Sequence, residues 1–225
     1  LSDETGTIID ELKYDTTYRN MSVGRLTDGS TEIGTFAVPS PGKSNEGGKF
    51  LTKQTEKPSF SLKPGFYKEA QTIEISVKNK NAKIYYTTNG SEPTPQSTPY
   101  TEPIIIEKNT PIRAAAFVDG EISSEINTAS YFINEREINI PVVALVAEPE
   151  LIYGDSFGLI VTGVNGNVEI PGYCNDPLEN TYANYYNDWK HPSNFELFDA
   201  NDKEQINLEV KIGVYGSCSR TKRVK

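Results

Sequence analysis

Gln71-Thr-Ile-Glu-Ile-Ser-Val-Lys78, followed by Ala82-Lys-Ile-Tyr-Tyr-Thr-Thr-Asn-Gly90, decides the fold. In an extended chain Ile73, Ile75 and Val77 point one way, and Thr72, Glu74, Ser76 and Lys78 the other. Ala82, Ile84 and Tyr86 repeat that period of two, which is the pattern of half-buried strands. Asn89-Gly90 then ends the run with a turn signal that demands a positive φ. Further along, Ile104 and Ile106, then Ile112, Ala114 and Ala116, continue the alternation. Short strands bounded by Gly, Pro and Asn predict a small antiparallel sandwich.

On either side the chain divides into blocks. Residues 1–45 carry two expected strands, 6–14 and 31–38, and close on the turn-rich string 39–45. Residues 46–57 (EGGKFLTKQTEK) read as a polar linker. The sandwich block is 58–134, and 135–138 form a short charged joint. In the third block, 139–225, the apolar run 141–146 reads as a buried strand and 158–163 (GLIVTG) as another. Residues 194–198, the turn 199–202 and the alternating 206–214 predict a hairpin. No stretch has the apolar period of a three-turn amphipathic helix, so the fold class is all-β.

Composition removes several functions. The 225 residues carry a formal net charge of −9, so the basic footprint of a non-specific nucleic-acid binder is missing. No apolar run approaches ~18 residues, the length a membrane-spanning helix needs. A single histidine, His191, rules out a multi-histidine metal centre, and two cysteines, Cys174 and Cys218, rule out a four-cysteine zinc site. Neither GxxxxGK[ST] nor GxGxxG occurs.

The string Ile84-Tyr-Tyr-Thr-Thr-Asn-Gly-Ser-Glu-Pro-Thr94 resembles the signature of the chitobiase/β-hexosaminidase C-terminal-like domain, with Asn89 where Asp is usual. Tyr100-Thr-Glu-Pro103, Ile112-Arg-Ala-Ala-Ala116 and 123–131 match its later strands. The resemblance covers 58–133 and implies an Ig-like antiparallel sandwich that serves as an accessory, not as a glycosidase core. Ser22-Val-Gly-Arg25, Asp28-Gly29, Thr35-Phe36 and 39–45 resemble the last strands of a lamin-tail domain, implying a partial Ig-like sandwich. Ile140-Pro-Val-Val-Ala-Leu145, Asn187-Asp-Trp189, 194–199 and Ile212-Gly-Val-Tyr-Gly-Ser-Cys-Ser-Arg220 resemble the strand-rich start of a CotH-like domain. CotH proteins are atypical kinases, and that family's catalytic and metal-binding carboxylates would lie beyond residue 225. This order of modules is similar to that of large exported bacterial proteins and implies an extracellular or cell-surface location.

Each site candidate has a plainer alternative. Cys174 and Cys218 would form a disulfide in an exported protein; the alternative is two thiols. His191 beside either cysteine would make a nucleophile–base pair, but a lone histidine in a proline-containing loop is the better reading. In the CotH-like resemblance, Arg220 and Lys225 would face nucleotide phosphates; a solvated basic strand is the alternative. Tyr182, Tyr185, Tyr186 and Trp189, interleaved with asparagines, offer flat faces and amide donors suited to sugar rings, against a loop packed by its own aromatics. Asp199, Asn201 and Asp202 suggest a calcium loop, but Lys203 and Gln205 intrude and favour a hairpin turn.

The expected function is a non-catalytic scaffold or interaction segment of an exported multidomain bacterial surface protein. No catalytic or metal residue is singled out in it, and no cofactor of its own is expected. Its partner would be a protein or a polysaccharide, with no nucleic acid and no transmembrane segment. One alternative is the front part of a CotH-like kinase, for which ATP and Mg²⁺ would serve the longer parent. Another is a carbohydrate-binding accessory module.

Overall fold

The computed structural model describes residues 1–14, 17–18, 21–51, 53–164, 166 and 183–216. Nearly all regular structure in them is β, and the longest helix has five residues. No helix among them is long and apolar enough to cross a membrane. Contacts divide the chain into two units.

The first unit comprises Leu1–Lys57, Val77–Lys83 and Ala116–Glu125. Its sheet has β1 (Ser22–Arg25), β2 (Ile33–Phe36) and β3 (Phe50–Leu51) in that order, all antiparallel. The Phe50 ring lies over Gly34, where an added Cβ would meet Cε2 at 1.5 Å, so only glycine fits beneath it. Phe36, 2% exposed, tilts against Phe50 at 5.8 Å.

Two expectations change in this unit. Residues 6–14 form no strand; an isolated Ser2–Ile8 bridge is present instead, and Ile8 and Ile9 stay more than 60% exposed, so no apolar face holds the segment extended. The stretch 46–57, read as a linker from its polarity, supplies β3 and then docks on 116–125. Thr55 N–H donates to the Ile122 carbonyl and Ile122 N–H to that of Lys53, both at 2.8 Å, with Thr55 and Ile122 each 3% exposed.

The second unit comprises Pro58–Ser76, Ile84–Ala115 and Ile126–Lys225. Its central sheet runs β5 (Gly65–Tyr67), β12 (Asn127–Ile133), β11 (Thr110–Phe117), β8 (Lys83–Thr87), β9 (Thr98–Pro99). β12 with β11 and β8 with β9 are antiparallel, and β12 with β5 is parallel. Against one face lie two short ladders, β4 (Ser59–Phe60) with β7 (Ile75–Ser76), and β10 (Ile104–Ile106) with β6 (Gln71–Ile73). The alternating segment changes partner at Glu74, whose carbonyl accepts from Ser61 N–H while its own N–H donates to Ser61 Oγ.

The predicted alternation holds. Ile73, Ile75, Ile106, Ile112, Ala114, Ala129 and Tyr131 are all below 5% exposed and form one core. Tyr131 puts its hydroxyl on the Leu62 carbonyl at 2.8 Å, so its apolar ring fills the core without stranding a donor. This agrees with the all-β, Ig-like fold class expected from the sequence.

A third layer covers the opposite face of the central sheet. It consists of β13 (Val142–Ala147), β14 (His191–Phe198) and β15 (Glu204–Ile212), all antiparallel. The β14–β15 hairpin turns as expected: Asp199 Oδ1 accepts from the N–H groups of Asn201 and Lys203, and Asp202 sits at φ 62°. Residues 158–163, expected as a strand, instead follow the short helix α1 (Pro149–Tyr153) as turns. Leu159 and Ile160 N–H bind back to the carbonyls of Leu151 and Ile152, so the helix takes the bonds a sheet would have used.

Candidate functional site

The signature turn after β8 is closed from within and from outside. Inside it, Asn89 Oδ1 accepts from Ser91 N–H at 3.0 Å, an Asx turn that asparagine makes as well as aspartate would. Gly90 takes φ 91°, the left-handed conformation the sequence called for. From outside, the Ala147 carbonyl oxygen stands 2.5 Å from where a Gly90 Cβ would be. Glu148 then grips the turn with both oxygens: Oε1 accepts from Ser91 Oγ at 2.8 Å and Oε2 from Glu92 N–H at 3.0 Å. Beneath the turn, Arg113, 3% exposed, donates Nη1 to the Gly90 carbonyl at 2.9 Å. The residues most diagnostic of the sandwich thus bind the end of β13.

A second contact lies at Glu196 of β14, which is 0% exposed. Its Oε1 accepts from Ser130 N–H of β12 at 3.0 Å, and its Oε2 is bonded to Ser130 Oγ. Asn207 of β15 donates to the Thr128 carbonyl at 3.0 Å and takes a bond from Asn194 at 2.9 Å. Burial pushes the Glu196 carboxyl up to about 7, although the Ser130 hydrogen bonds pull it down. Beside this polar patch Phe66 and Phe132 stack at 4.5 Å, and Phe198 meets both rings edge-on at 5.7 and 5.6 Å. Each such pair contributes about 0.5–1.5 kcal/mol beyond its buried area.

Sequence reading missed this joint. On β14 the apolar Phe195 and Leu197 alternate with Asn194 and Glu196, so periodicity alone turns Phe195 and Leu197 inward. The layer is mounted the other way: Asn194 and Glu196 are sealed, while Val143, Leu145, Ile206 and Leu208 are 38–55% exposed. Cross-strand register puts those four on the face of Phe195 and Leu197. The reason is the surface beneath, where β11 and β12 present Arg113, Thr128 and Ser130; polar groups there need polar partners. The one available signal was a glutamate set between Phe195 and Leu197.

The other candidates are placed as follows. Tyr185 is 8% exposed, so its ring offers no open face. Tyr186 tilts against it at 4.9 Å. Trp189 has Phe157 at 5.7 Å and His191 at 5.9 Å as ring neighbours. His191 Nε2 lies 2.7 Å from the Phe157 carbonyl, so that nitrogen carries the ring proton and donates. The Asp199 carboxylate is taken up by its own turn and by Gln205. Tyr182, Cys174, Cys218, Arg220 and Lys225 lie outside the described residues. A cavity of about 390 Å³, walled by Leu145, Ala147, Ile152, Leu159, Ile160 and Ile212, opens beside the signature turn.

Comparison with known proteins agrees with the middle of the chain. The family model of the chitobiase/beta-hexosaminidase C-terminal domain matches residues 62–128. An endoglucanase of Clostridium saccharobutylicum is 39% identical over 77 residues, which are 34% of this chain and 16% of that enzyme. The shared region therefore spans about one sixth of the relative's length. Residues 62–128 of this chain are thus similar to the C-terminal domain of chitobiase and β-hexosaminidase.

Proposed function

We propose that this chain is a non-catalytic accessory segment of an exported carbohydrate-active protein, and that its sandwich is a rigid coupler between modules. The observation that carries this reading is the grip of Ala147 and Glu148 on the signature turn. A turn held in this way positions the next stretch of chain. The Glu196–Ser130 contact and the Phe66–Phe132–Phe198 cluster fix the same two layers at a second place. Two separated contacts remove the rotation that one would allow. The connection between the layers is also pinned: Asn134 N–H donates to the Tyr67 carbonyl at 2.8 Å, and Glu135 binds Asn109.

The carbohydrate setting rests on the match to 62–128 and on the endoglucanase similarity. In this reading polysaccharide is handled elsewhere in the whole protein, at the outer surface of a bacterium. The lamin-tail and CotH-like resemblances of the flanks would place the coupler between two further modules.

Backbone ¹⁵N relaxation on the intact chain tests this. A single correlation time for amides in β4–β12 and in β13–β15 is expected. Independent tumbling of the two sets would refute the coupler.

A further inference from the structure

The joint encloses an ionisable side chain. Glu196 is fully enclosed between β12 and the C-terminal sheet. Besides Ser130, Asn207 Nδ2 approaches its Oε1 at 3.4 Å. The ionisable groups that act on it are Glu204 of β15, which shares the Asn207 amide at 2.8 Å, and Tyr131 of β12. Arg113 of β11, on the same sheet face, gives Nη1 to the Gly90 carbonyl. From β13 the residue opposite Glu196 is Ala144.

We propose that Glu196 makes this joint a pH-responsive latch, closed while its carboxyl is protonated and loosened once it ionises. The proposal rests on reading the joint as the coupler. Both protonation states are hydrogen-bonded, because the Ser130 hydroxyl donates to the carboxylate and accepts from the acid. What separates them is the cost of a buried charge beside a second carboxylate.

The direction follows from linkage. In the closed joint the carboxyl titrates near 7. Once the joint opens it meets water and returns to the ordinary glutamate range, about 4.3. The closed form holds the proton more tightly, so acid favours closure. That stabilisation is complete below the ordinary range and is lost as pH rises through about 7. Between pH 6 and 8 the opening constant should rise about tenfold and then level off.

The test is amide hydrogen exchange at Ser130 in the intact chain from pH 5 to 8.5, corrected for intrinsic exchange. The wild type should open about tenfold more at pH 8 than at pH 6. Glu196→Gln should abolish the dependence. Ser130→Ala, which removes a hydrogen bond that favours ionisation, should move its midpoint to higher pH. A flat wild-type profile, or an unchanged slope in Glu196→Gln, overturns the latch. Relaxation measured at the same pH values separates the two ideas. A rigid joint with flat exchange removes only the latch, whereas independent tumbling at pH 6 removes the coupler as well.

Discussion

Ser130 and Glu196 meet twice across two layers: the serine backbone N–H reaches Oε1 at 3.0 Å, and its hydroxyl is bonded to Oε2. The serine belongs to the sandwich and the glutamate to the sheet that covers it. A β-sandwich joined to its neighbour only by a linker would leave the β12 face in water. Here that face forms a second core.

Replacing Gly90 tests the first anchor. Gly90→Ala combines a positive φ with a Cβ 2.5 Å from the Ala147 carbonyl oxygen. It should destabilise the chain by about 1–3 kcal/mol in urea unfolding. Gly120→Ala has a similar φ and open space around it, and should cost less. Equal losses would mean that the Ala147 contact contributes nothing.

Glu148→Ala removes the acceptor for Ser91 Oγ and Glu92 N–H. A loss of about 1–3 kcal/mol is expected, with faster amide exchange at Glu92. A change below about 0.5 kcal/mol, the scatter of ordinary surface substitutions, would contradict the grip.

Excised residues 58–134 keep the core of Ile73, Ile112 and Tyr131 but lose the cover over Ser130 and Phe132. The fragment should retain a β-type circular dichroism spectrum. It should melt below the intact chain by at least about 4 °C, the shift that 1 kcal/mol gives in a domain of this size. Equal melting temperatures would show that the third layer adds no stability.

These expectations also show which parts of the fold were legible. The strands around Ile73, Ile112 and Ile206 could be read because alternation is local. So could the turns at Gly90 and Asp199, whose residue chemistry is decisive by itself. Phe50–Leu51 was lost because two strand residues sit in a polar context and become a strand only against β2. The GLIVTG run has strand composition, but its backbone bonds go to α1. The direction of β14 was illegible for a deeper reason: which face of an amphipathic strand is buried depends on the surface it meets. Of the candidate site, the signature turn was visible, while its partner Glu148 lies 56 residues from Glu92 and carries no motif.

The apolar outer face of the third layer gives another check. Leu145 and Leu208 are 55% and 47% exposed. Leu145→Lys with Leu208→Ser should leave urea stability within about 1 kcal/mol, each being an exposed position. It should also lower binding of a hydrophobic dye. A larger stability loss would mean that this face is packed in solution.

Trp189→Ala addresses direct sugar contact. Because Trp189 has Phe157 and His191 beside it, the variant should lose packing stability and leave any retention on cellulose or chitin unchanged. Loss of retention with stability intact would assign the ring to a glycan.

A double-mutant cycle on Ser130→Ala and Glu196→Ala, read by urea unfolding at pH 6, bears most directly on the layered joint. If the two side chains hold the layers together, their coupling should be about 1 kcal/mol or more, as for neighbours in one buried network. Additivity within about 0.3 kcal/mol would mean that the two residues act independently and that the joint is not held where the structure places it.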